Sequence, residues 1–214
     1  MPARSPFFPT DSLALIKQFR KMIRPEREIF YPASAKEWRK WLKENHQSKQ
    51  SVLLLCYKKG TGTPSVEWTH VVDEALCFGW IDSTRKSIGD GKFLQLITRR
   101  KPQSHWSKIN KDKVERLIAG KKMAKAGLES IRIAKENGSW NKLDQVESLV
   151  IPKELASAFR AHPGSRKYFN GLSKSVKKMI LHWVHSARRI ETKLKRAEET
   201  ASLAAVGERP KQFR

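Results

Sequence analysis

The chain has 214 residues, 39% of them hydrophobic, with nine phenylalanines and seven tryptophans. That content supports a packed core and excludes a disordered polymer, which buries too little apolar surface to offset its chain entropy. A formal net charge of +23 favours polyanionic partners and disfavours cationic ones. The excess is concentrated, with 13 basic and 3 acidic residues in 84–125 and 14 basic and 4 acidic in 160–214. No apolar run is long enough to cross a bilayer. Pro6, Pro9 and Asp11 interrupt any signal-peptide core, so the expectation is a soluble, cytoplasmic protein.

Residues 1–27 read as a separate arm rich in proline, with an amphipathic helix over 12–23. EIFYPAS (28–34) reads as a short strand. Ser34 followed by Glu37 is a capping box for the helix AKEWRKWLKENH, whose Trp38, Trp41 and Leu42 share a face. SVLLLCYKK (51–59) predicts an apolar strand, GTGTP (60–64) a loop, and Ser65 with VEWTHVVDEALCF a helix closed by Gly79. WIDSTRKSI and KFLQLITRR flank Gly89-Asp90-Gly91 and predict an antiparallel hairpin. Helices follow over 110–122, with Asn110 as cap, then 125–138, 151–162 and 163–172. Val176, Ile180, Trp183, Ala187, Ile190, Leu194, Ala197 and Ala201 are spaced alternately by four and three. That seam predicts one long amphipathic helix over 174–204, about 45 Å in length, and permits a homodimer through it.

DEALCFGWIDSTRK (73–86) holds the densest set of reactive side chains. Asp73 and Glu74 are adjacent, so a helix points them about 100° apart and they form no acid–base dyad. Cys56 and Cys77 sit in apolar settings, which predicts buried, reduced thiols, with a single disulfide as the alternative, and Cys77 lacks an obvious basic partner. Asp82, Ser83, Arg85 and Lys86 emerge where the buried run ends. They can bind a small polar ligand or fix the turn through an internal ion pair. In TRRKPQSHWSKINKDK (98–113) the cations surround Trp106, either a stacking platform or a buried anchor for the loop. GTGTPS lacks the phosphate-loop pattern and reads as a strand-to-helix turn. His182 and His185, three apart, form only a weak metal pair without a third ligand at suitable spacing.

EWRKWLKENH, YKKGTGTPSV, VVDEALCFGWIDS, RKPQSHWSKINKDKVERLIAGKKMAKAGL, NGSWNKLDQVESLVIPKEL, HPGSRKYFNGL and WVHSARRIETKLKRAEETASLAA together resemble the YdeI/OmpD-associated family, also labelled bacteriocin-protection proteins. The resemblance covers 28–214. It departs at Arg99, where relatives tend to carry proline. It implies a link to an outer-membrane porin and to survival against bacteriocins or cationic peptides, and carries no catalytic residues over.

The expected fold is therefore α+β: a small, mainly antiparallel sheet packed by helices over 28–109 and a helical part over 110–214, preceded by the arm. The expected role is non-enzymatic binding at Trp80, Asp82, Ser83, Arg85, Arg100, Trp106 and Asn110, without catalytic residues, metal or cofactor. The alternative is nucleic-acid binding by the basic segments 84–125 and 160–214.

Overall fold

A computed structural model describes residues 27–213; the expected arm helix over 12–23 lies outside them. The chain divides into two compact units, 27–104 with 112–134 and 105–111 with 135–213. The fold is α+β, as the alternating and helical periodicities require.

The first unit is built on strands β1 (Ile29–Phe30), β2 (Ser51–Tyr57), β3 (Trp80–Gly89) and β4 (Lys92–Arg99), in the order β1-β2-β4-β3. β2–β4 and β4–β3 are antiparallel, whereas β1 runs parallel to β2, so the sheet is mixed. β2 also stops at Tyr57, two residues short of the expected strand. Asp90 and Gly91 form the two-residue hairpin with φ of 46° and 69°, the positive values that match the right-handed strand twist. Side chains alternate between the faces. Leu53, Leu94 and Leu96 form a buried cluster on one face, against Ile29, Leu55 and Ile88.

The other face meets helices α1 (Ala35–Asn45) and α2 (Trp68–Cys77). Ser34 Oγ accepts from the Glu37 amide at 3.3 Å, and the Glu37 carboxylate returns to the Ala33 amide at 3.0 Å. These bonds satisfy donors that the first helical turn leaves open. α1 buries Trp38, Trp41 and Leu42 as its spacing requires, with Trp38 and Trp41 stacked at 5.3 Å. Ser65 does not cap α2. Its hydroxyl accepts from the Tyr57 amide at 3.1 Å, and Glu67 is the N-cap.

Two further helices, α3 (Lys108–Ala119) and α4 (Lys125–Glu136), are each cut by the division between units. Asn110 is inside α3 and does not cap it; its amide donates to Ser107 Oγ at 3.3 Å. Gly127 of α4 lies tight against the end of α2: a Cβ there would stand 2.3 Å from the Cys77 carbonyl oxygen and 2.8 Å from that of Leu76.

The second unit contains α5 (Asp144–Glu147), α6 (Lys153–Ala161), α7 (Ser165–Gly171), α8 (Lys174–His185) and α9 (Ile190–Ala205). α5 is a single turn with no expectation in the sequence. The predicted continuous helix over 174–204 is instead the two helices α8 and α9, broken at Ser186–Arg189. The Arg196 guanidinium explains how the break is held. It donates to the Trp183 carbonyl at 2.6 Å, capping a group that a continuous helix would use internally, and to Ser186 Oγ at 3.1 Å. Ser173 is the cap of α8, its Oγ accepting from Val176. The core gathers Val146, Leu155, Phe159, Phe169, Ile180 and Leu181 around Ala158, Ala197 and Ala201, small residues that let helices approach closely.

Candidate functional site

β3 has one ladder partner among the described strands, β4, so it is an edge of the sheet. Asp82 pairs with Ile97, and pairing resumes at Arg85 with Gln95. Three steps on β3 thus oppose two on β4, a β-bulge. In an unbroken strand, residues 82 and 85 would face opposite sides. The extra residue brings both to the face shared by Ile97 and Gln95. The bulge also withdraws the Ser83 carbonyl from the ladder, and Gln95 compensates. Its Nε2 donates to Ser83 O at 3.0 Å and to Leu96 O at 3.3 Å. Gln95 is only 1% exposed, and its Oε1 is buried without a hydrogen-bond partner among the described residues.

Around this bulge the charges are distinct in kind. Arg85 is exposed and its guanidinium lies 3.6 Å over the Phe93 ring, a cation–π contact that fixes its direction. Asp82 is half-buried. Burial raises its carboxyl above the ordinary value, against the opposing pull of its own backbone hydrogen bond and of Arg100 and Lys113. Arg100 is buried, which pushes it down to about 10 although Asp82 favours its charged form. It remains a cation at neutral pH. Ser83 is exposed.

Trp80 has a different role. It is fully buried, edge-on to Trp41 at 5.8 Å, with its Nε1 donating to His46 O at 3.4 Å. Arg99 Nε donates to the same carbonyl at 2.8 Å. The start of β3 and the end of β4 are therefore anchored to the end of α1. Trp106 and Asn110 belong to the second unit. Trp106 is 1% exposed and packs 4.9 Å from Trp140, so it is the buried anchor rather than a stacking platform. Asn110 is half-buried in α3.

The other reactive side chains are committed elsewhere. Asp73 is held by Lys113 Nζ and Arg116 Nη2, each at 2.5 Å, while Glu74 pairs with Arg39 at 2.5 Å. The adjacent carboxylates thus serve separate ion pairs. Cys56 and Cys77 are free and buried. Burial pushes the Cys56 thiol to about 11 and raises that of Cys77, the opposite of an activated nucleophile. His182 lies 5.9 Å from His105 in the second unit, and among the described residues no group of three or more His, Cys, Asp or Glu is arranged to hold a metal. No described helix is long and apolar enough to cross a membrane.

Sequence reading missed Gln95. The signal for Gln95 was present: a lone amide within the apolar run FLQLI, at a position whose alternation faces inward.

Residues 30–130 match a family model described as a domain of unknown function, DUF8412, and this segment contains the whole bulged edge. No curated protein and no solved structure matches the chain. Residues 148–207 match the model described as bacteriocin-protection, YdeI or OmpD-associated.

Proposed function

We propose that the protein is a non-enzymatic binding protein whose recognition site is the bulged edge of β3, with Asp82, Ser83 and Arg85 presented to the ligand and Arg100 behind them. The observation that carries this reading is the bulge itself. It aligns an acid and a base three residues apart on one face and leaves the buried Gln95 Oε1 unpaired. An unpaired buried acceptor costs about 1–3 kcal/mol, and such strain is retained where function requires the geometry. Asp82 accepts from a cation, while Arg85 donates to an anion. The complementary ligand is a small zwitterion of the amino-acid or dipeptide class. The match of 148–207 to a bacteriocin-protection family supports a setting in antimicrobial stress. A binding role also accords with the occupied carboxylates Asp73 and Glu74 and the inert thiols.

The test is a titration of the 15N-labelled full chain with glycylglycine, followed by NMR. Amide shifts concentrated at 82–85 and 95, and lost in Asp82→Asn and Arg85→Ala, are the expected result. Shifts absent or scattered over the basic surface would refute the site.

A further inference from the structure

The second unit carries a surface that the β3 edge does not explain. At the start of α9, Ile190 and Leu194 are 52% and 51% exposed. They stand four apart, on one side of the helix. Further along the same seam, Ala197 and Ala201 are buried in the unit's own core. The apolar seam is therefore covered over its later turns and bare over its first two. Val150, 47% exposed, lies in the same unit. Arg188, Arg189 and Lys195 are exposed around these aliphatic tips and make no ion pair among the described residues. Glu191 is the one exposed acid within this stretch, since Lys193 is occupied with Glu154 at 3.1 Å.

We propose that this corner is a docking surface for an anionic lipid bilayer. Charge selects the occupant. A second copy seated on the same patch would bring Arg188, Arg189 and Lys195 against their own counterparts, and like charges across an interface oppose assembly. A helix-binding protein groove takes a stripe continued over i, i+3, i+4 and i+7, whereas this stripe ends after two turns. A bilayer needs no continuous stripe. It accepts shallow aliphatic tips at the headgroup boundary, and its anionic surface strengthens binding about fivefold for each nearby Lys or Arg. The contact is peripheral.

Co-sedimentation of the full chain tests this with large vesicles of phosphatidylcholine alone or containing roughly one third phosphatidylglycerol, in salt of about 0.1 M. Binding to the anionic vesicles and not to the neutral ones is expected. Arg188→Ala/Arg189→Ala should weaken it about 25-fold. Ile190→Ser/Leu194→Ser should weaken it at least about tenfold, with the circular dichroism spectrum and Tm unchanged because both side chains are half-exposed. No binding to the anionic vesicles overturns the proposal. So does an Ile190→Ser/Leu194→Ser variant that binds like the parent, which would assign the attraction to diffuse positive charge. Light scattering gives the third arm: a dimer abolished by the same pair, with vesicle binding intact, would assign the patch to a second copy and overturn the proposal.

Discussion

The two units solve the same problem, a strongly basic chain that must bury a core, with different materials. The first uses large rigid rings and a ladder of hydrogen bonds: Trp38, Trp41 and Trp80 are buried beneath the sheet, and polar irregularity is confined to one edge strand. The second uses alanines, with Ala158, Ala197 and Ala201 among its core residues, and joins its helices by ion pairs such as Lys178 with Glu147 and Lys193 with Glu154. Hydrogen-bonded strands fix the direction of each side chain, so a single inserted residue re-aims a charged pair. Helices packed through small residues tolerate an uncovered seam, and the second unit shows one.

The largest expected effect lies in the second unit. Phe169 is 2% exposed and packs 5.3 Å from Phe159. Phe169→Ala should cost about 3–5 kcal/mol in a denaturant titration; a cost under about 1 kcal/mol would mean that the alanine-rich core closes over the gap. In the first unit, Gly127→Ala should cost roughly 2–3 kcal/mol, because backbone rather than a flexible side chain occupies the space its Cβ needs. A neutral result would show that α2 and α4 have room to separate. Next, Gln95→Ala removes the donor to the Ser83 carbonyl and should cost roughly 1–2 kcal/mol. Faster hydrogen exchange across 82–86 would localise the loss to the bulge.

The smallest effects separate the units by the sign of their response to acid. Asp82 has a raised folded value relative to 3.8, so its ionisation opposes folding at neutral pH. That cost disappears as pH falls through the folded value. Asp82→Asn should therefore raise Tm at pH 7, with the gain vanishing below about 3.8. His185 is shifted the other way from 6.5, by burial first and then by Lys193, against Val150 and Glu154. Its contribution is present above 6.5 and lost as pH falls through the depressed value. His185→Gln should flatten that acid-side loss in a series of melts; an unchanged slope would remove His185 from the account.

The first unit was legible where local chemistry is decisive. Ser34 and Glu37 fixed a helix start, Gly89-Asp90-Gly91 a hairpin, and alternation the inward faces. The bulge was not legible, because IDSTRKSI reads equally well as a regular strand until the register against β4 is known. The parallel pairing of β1 was hidden for the same reason: two residues carry no direction. In the second unit the heptad spacing ran unbroken through Ala187, and Ser186–Arg189 contains neither proline nor glycine to mark an end. The break depends on Arg196, ten residues from Ser186, reaching back to cap α8. A contact between helices decides it, and periodicity along one helix carries no record of that contact. The candidate site was legible in composition at Asp82, Ser83 and Arg85. Trp80 already read as core in its apolar run and Trp106 as either platform or buried anchor, and tertiary packing buries both.

The central claim is that Asp82 and Arg85 act on opposite ends of one ligand. The most direct measurement is calorimetric titration of the parent chain, Asp82→Asn and Arg85→Ala with glycylglycine, its N-acetyl form and its C-terminal amide. Asp82→Asn should weaken only ligands with a free amine, and Arg85→Ala only those with a free carboxylate. If both variants lose affinity equally for all three ligands, or for none, the paired-edge account is wrong.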